Sequence, residues 1–441
     1  MKFKNYKKLS FVFIFIATLT ACEDYFGDDI NSNPNTPLVV PVTARIAHVQ
    51  LTIVDATGGM WSLFNNMFTQ QVEGVERQWD AFNNYNIQPV RFNGAWQDIY
   101  ENSLVELKEI EAQSIEDGNN HFVAISKVLE AYTVMMATDV WGDIPFTEIA
   151  LGGENIAPAF DDQATVIYPA IKSLLEEALA LFNGPSGSVI PSSSNDLFYA
   201  GDVDKWKLAI HAILARYYLH LGDNANALVQ AKLSFSSRAD NMGFEYPGSP
   251  NAAQWYGFNV GREGDMEFHP TMRSIMEGLN DTDRLTIFDK TFNSDHPYLV
   301  DNYRQDLITY REIQFIIAET SSDDTEKRTA YTNAIMASFT EVGFDAGAGT
   351  EYSTYIANTD VLPLAGAPSL VQVMTQKYIG MFVQPEVFSD WRRTGIPTLT
   401  AVTGSDGIPR SWDLGENEYL FNPNAPARDA KALWKRVDWD N

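Results

Sequence analysis

The chain has 441 residues, 45% of them hydrophobic and 12% aromatic, with 31 basic against 58 acidic side chains and a net charge of −27. An acidic excess of this size excludes nucleic acid as the partner, because phosphate backbones demand clustered Lys and Arg, while the apolar share is enough to bury a large core. The one cysteine excludes an internal disulfide.

At the start, Lys2, Lys4, Lys7 and Lys8 precede an apolar stretch from Leu9 to Ala21 that contains Phe11–Ile16. It is shorter than the roughly 20 residues of a membrane helix. Its basic beginning and small residues before Cys22 give residues 1–21 the form of a signal peptide. Leu19-Thr20-Ala21-Cys22 is similar to the bacterial lipobox, in which the cysteine is acylated and becomes the new amino terminus. Cleavage there leaves 420 residues, with 27 basic against 58 acidic side chains and a charge of −31. The following cluster, Glu23 to Asp29, resembles the surface-export signal of lipoproteins in Bacteroidetes-type bacteria. The remainder of residues 22–41, polar and proline-rich from Ile30, reads as a flexible tether.

From Val42 onward apolar residues recur at three and four positions, which predicts helices over Val42–Asp55, Ala95–Ala112, His121–Val140, Ala164–Phe182, Lys205–Leu221, Asn224–Phe235, Thr309–Thr320, Glu326–Phe339 and Leu370–Phe382. No comparable period-two alternation appears, so the expected fold class is all-α. Trp206–Leu221 followed at once by Ala225–Phe235, with alanines at the contact, resembles a tetratricopeptide helix hairpin. Tyr310–Glu319 with Arg328–Phe339, and Val128–Thr138 with Val166–Leu181, repeat that layout. Each hairpin leaves an apolar face that only a neighbour can cover, so the hairpins should stack into one helical domain over residues 42–441. Between them lie long segments rich in Gly, Pro, Asn and aromatics: Gly74–Phe92, Gly184–Asp202, Ser236–Pro270, Gly343–Pro368 and Gly395–Asn441. Long segments inside a compact protein are functional or disordered, and disorder is poor in aromatics; these should fold onto the scaffold as loops.

Several stretches, in order, carry a resemblance to one family: Asn33-Pro34-Asn35, Trp96-Gln97-Asp98-Ile99-Tyr100, Asp139-Val140-Trp141-Gly142-Asp143-Ile144-Pro145-Phe146, Gly201-Asp202-Val203-Asp204-Lys205-Trp206, Asp390-Trp391-Arg392-Arg393-Thr394-Gly395-Ile396-Pro397 and Ile408-Pro409-Arg410. Together with the lipobox they resemble the SusD/RagB-like outer-membrane nutrient-binding lipoproteins, in their second SusD-like branch. Ser411 departs from the pattern, where a second arginine is expected. The resemblance implies a tetratricopeptide-supported protein anchored in the outer membrane through Cys22, facing outward, that serves as a lid on a SusC-type TonB-dependent transporter and captures glycans or peptides. The motifs themselves have structural readings. Asp202 and Asp204 suit a helix start, Trp141 suits the core, and Arg392 and Arg393 beside Asp390 suit ion pairing.

Catalysis finds no support. The thiol is consumed by lipid, the six histidines include no H-E-x-x-H spacing, and no G-x-S-x-G elbow is present. No cofactor or metal is called for. Sugar binding needs flat aromatic faces with amides, hydroxyls and guanidinium groups at their rim. Two segments supply that mixture. Arg77–Asn86 offers Trp79 and Tyr85 as stacking rings with Arg77 and Asn84 as polar contacts, and the resemblance places ligand contacts in the same region. Gln254–Arg262 offers Trp255 and Tyr256 with Arg262. The alternative is that Trp79 or Trp255 anchors its segment to the helices. The expected function is glycan capture without catalysis; peptide capture, or a mainly structural lid, are the other readings.

Overall fold

The computed structural model describes residues 40–149, 155–288, 292 and 296–440. The signal peptide, Cys22 and nearly all of the tether lie outside the described residues. Residues from Val42 onward form one compact unit, mainly helical as expected. The helix Asn120–Trp141 packs between Val105–Glu116 and Tyr168–Phe182, Val203–His220 pairs with Asn224–Leu233, and Tyr310–Thr320 pairs with Asp324–Glu341. Consecutive hairpins touch, Tyr168–Phe182 against Val203–His220 and Asn224–Leu233 against Tyr310–Thr320.

Local chemistry explains why the helices begin and end there. Asp202 accepts the backbone amides of Asp204 and Lys205 at 3.1 and 3.2 Å, capping the Trp206 helix. That helix ends at Leu221-Gly222-Asp223. Gly222 takes a left-handed φ of +71°, and Asp223 then accepts the amide of Asn226 at 3.1 Å to start the next helix. Thr309 and Asp323 cap both helices of the third hairpin, accepting from Glu312 and Glu326 at 3.1 and 2.8 Å. The second and third hairpins are joined by a buried fork. Arg216 donates to the two carboxylate oxygens of Glu312 at 2.7 and 2.6 Å, and removing one partner of such a pair costs about 3–5 kcal/mol.

Of the two arginines expected to pair, Arg393 does so, donating to both oxygens of Glu319 at 2.9 and 3.1 Å and to Asp390 at 2.8 Å. Arg392 does not. Its guanidinium lies over the rings of Phe388 and Trp439 at 4.2 and 4.6 Å, and burial pulls its pKa down to about 10.

Two small antiparallel sheets, which the sequence did not signal, accompany the helices. Val72–Gly74 pairs with Met266–Phe268, and Met242–Glu245 with Arg304–Ile308. Strands of three to five residues are too short for alternation to register. Among the described residues, no helix is long and apolar enough to cross a membrane.

Candidate functional site

The first sheet draws the two predicted binding segments together across the sequence. Beyond the paired strands, the amide of Val75 donates to the Asp265 carbonyl at 2.9 Å, and the guanidinium of Arg77 forms an ion pair with the buried Asp265 carboxylate. Both segments are helices rather than loops, Arg77–Asn83 and Gln254–Gly261. Gly74 permits this approach, since a side chain there would run into the Trp79 carbonyl. Trp79 and Phe82, three residues apart on one helical face, turn inward onto Phe64 at 5.9 and 5.6 Å, and Trp79 meets Phe258 edge-on at 4.9 Å.

This geometry corrects the expectation that Trp79, Tyr85 and Trp255 stack on a ligand. Trp79 and Trp255 are each 2% exposed and Tyr85 6%. The Trp255 indole donates to the Ser62 hydroxyl at 3.1 Å and lies between Phe292 and Phe382; Tyr85 sits edge-on to Phe68. Each ring finds an apolar partner brought in by another element, so each anchors its segment. Tyr256 is partly exposed, and Arg77, Asn84 and Arg262 exposed; the Asn84 amide is spent on the Asp80 carbonyl at 2.8 Å. Polar groups remain at this surface, while its tryptophans lie beneath it.

Solvent-facing rings occur elsewhere. A column of aromatics rises from the fully buried Trp61 through Trp412 at 4.5 Å and Trp141 at 5.2 Å. Trp96 follows, 4.9 Å from Trp141, and stacks on Tyr100 at 4.5 Å and on Phe160 at 6.3 Å. Trp96, Trp141, Phe160 and Tyr419 are only partly buried. The upper rings border a cleft of about 240 Å³ whose walls include Trp141, Phe160, Trp412 and Tyr419, with Asp143, Asn424, Lys435 and Arg436 among them.

The rings are held from below. Trp141 closes the long helix, which ends where Gly142 adopts φ +76°. Its indole donates to the Asp413 carbonyl at 3.1 Å, and the Tyr419 hydroxyl donates to the Asp413 carboxylate at 2.7 Å. The Trp412 amide donates to the Val140 carbonyl at 2.9 Å, and Asn422 and Asn424 fasten the far side through the carbonyls of Pro158 and Ala157 at 2.9 and 2.7 Å. Burial raises the pKa of the Asp413 carboxyl.

One side of the cleft is acidic. Asp143, Asp162 and Asp438 each bring a carboxylate oxygen within 4.8 Å of the others. Partial burial and then repulsion by Asp143 and Asp162 raise the Asp438 pKa. Asp143 also accepts the Gln163 amide at 2.9 Å and Asp162 the Thr165 amide at 2.7 Å, so these groups already serve the backbone. A second cluster, Asp139, His220 and Glu386, is buried. There the two carboxylates address different ring nitrogens, Asp139 at 3.3 Å from Nδ1 and Glu386 at 2.6 Å from Nε2. That arrangement suits an imidazolium better than a metal ion, which would gather all donors on one centre. Burial depresses the His220 pKa, but the two carboxylates outweigh it and lift the value to about 9.

A stack of helix hairpins carrying a shallow ring-lined cleft defines the molecule as a helical ligand-binding protein. Residues 34–303 and 295–410 match the SusD-like family described as starch-binding and associating with the outer membrane, and the chain belongs to that family, whose members are binding proteins and not enzymes. The resemblance seen in the motifs is therefore correct. Solved structures share the fold. A SusD/RagB family protein from Bacteroides thetaiotaomicron is 22% identical with a TM-score of 0.77, covering 91% of this chain and 99% of its own. A chitin-binding protein is 20% identical with a TM-score of 0.74, covering 91% and 100%. A SusD homolog from Bacteroides uniformis is 18% identical with a TM-score of 0.72, covering 91% and 99%. No curated protein matches the chain.

Sequence reasoning missed Phe160 and Tyr419, and it assigned Trp141 wholly to the core. The available signal was an aromatic residue directly before a helix-ending glycine, where a ring sits at the border of the packed interior. Phe160 and Tyr419 carried no local mark.

Proposed function

We propose that the protein is a lipid-anchored, surface-exposed glycan-binding protein that captures oligosaccharide or polysaccharide at the Trp141–Phe160–Tyr419 cleft and delivers it to a SusC-type TonB-dependent transporter. The observation that carries this reading is the partial exposure of those three rings beside amide and cationic side chains in one cleft. An aromatic face covers the apolar C–H face of a sugar, while Asn424, Lys435 and Arg436 suit its hydroxyl rim. Membership of a family described as starch-binding and outer-membrane-associating supports both the ligand class and the location. A site this open binds modestly, from micromolar to millimolar, or about −8 to −4 kcal/mol.

Electrophoresis through gels containing a panel of polysaccharides tests the reading. The wild type is retarded by at least one of them, and Phe160→Ala with Tyr419→Ala runs unretarded with its melting temperature lowered by only a few degrees. Equal retardation of both proteins removes the cleft from consideration, and binding to protein digests alone replaces glycan by peptide. Cys22→Ala should release the protein from the membrane fraction.

A further inference from the structure

A second cavity, of about 480 Å³, borders the carboxy-terminal segment at Asp438 and Trp439. Its walls include Ala164, Leu221, Arg393 and Trp439, and it shares Asp438 with the cleft. The ridge between the two is fixed. The Asp438 amide donates to the Gln163 side-chain carbonyl at 2.8 Å, the Gln163 amide donates to Asp143 at 2.9 Å, and Val437 is buried beneath. Trp439 is equally fixed, its indole donating to Asp139 at 3.1 Å and its ring stacked on His220 at 5.0 Å.

Size decides what the pair can hold. Ligand sites usually measure about 300–1,000 Å³. The cleft, at about 240 Å³, falls below that range and suits one or two sugar units, whereas the second cavity falls within it. Resting on the glycan reading above, we infer that the two form one extended site, and that a bound oligosaccharide crosses Asp438 from the ring-lined cleft into the Trp439 cavity. Short sugars use the cleft alone; longer ones gain the contacts of Leu221, Arg393 and Trp439.

Isothermal titration with maltooligosaccharides of two to seven units tests this on the full chain. Affinity of the wild type should rise about tenfold from the shortest to the longest. Ala164→Trp, at an exposed position, fills the second cavity and should abolish that gain while leaving the shortest sugar bound as before. If the substitution lowers the melting temperature, Leu221→Ala, at a residue 45% exposed, reads the same contact through a smaller loss of the gain. Equal affinity at all lengths in the wild type, or an undiminished gain in the variants, overturns the extended site and leaves the cleft reading intact. Absence of binding at every length overturns the extended site for this sugar series, while the cleft reading is decided by the polysaccharide gels.

Discussion

The surface formed by Arg77–Asn86 and Gln254–Arg262 and the cleft around Trp141 are both rich in aromatic and amide side chains, yet they point their rings in opposite directions. At the first, a strand pair clamps two short helices together, and Trp79, Tyr85 and Trp255 each find an apolar partner from another element. At the second, a long helix stops at Gly142, and the carboxy-terminal segment covers Trp141 and Phe160 only in part. Composition brings rings to a region. Whether they face water depends on how much apolar surface the neighbouring elements bring to meet them.

Substitutions separate these roles, and the largest effect belongs to the clamped surface. Trp255→Ala removes a buried indole and its bond to Ser62, so denaturant unfolding should show a loss of about 3–5 kcal/mol, while the folded fraction still binds glycan. At the cleft the balance reverses. Phe160→Ala or Tyr419→Ala should weaken binding by about tenfold, equal to about 1.4 kcal/mol, and move the melting temperature by only a few degrees.

The response to pH divides the regions further. His220, linked to the segment beside the cleft through Trp439, has a folded pKa of about 9 against an ordinary 6.5. Its stabilisation is complete below pH 6.5 and is lost as the pH rises through 9. Melting temperature should therefore fall over that interval, and His220→Gln should flatten the slope. His269, next to the clamped strands, has its pKa lowered by burial, so its contribution runs the other way and fades as the pH drops below 6.5. The smallest effect is expected at the polar surface. Arg77→Ala with Arg262→Ala should change glycan affinity less than twofold by titration; a larger loss would restore that surface as a contact.

Much of the scaffold was legible because its signals are local. Apolar spacing marked the helices, and Asp202 marked the start of one, a role that Asp223, Thr309 and Asp323 share in the structure. The resemblance of the Asp139–Phe146 and Asp390–Pro397 stretches identified the family correctly. What stayed hidden was decided by distant partners. The strands Val72–Gly74 and Met266–Phe268 are too short to announce themselves, and without their pairing nothing shows that Trp79 will meet Phe258. His220 looked like any histidine on a helix, because Asp139 and Glu386 reach it from elsewhere in the chain. The cleft depends on the carboxy-terminal segment returning to Val140 and Pro158, a placement that periodicity cannot express.

The most direct test is a crystal structure of the protein with maltoheptaose. Glucose rings should lie against Phe160 and Tyr419, with the chain passing Asp438. Sugar bound on the Arg77–Arg262 face with the cleft vacant would contradict it.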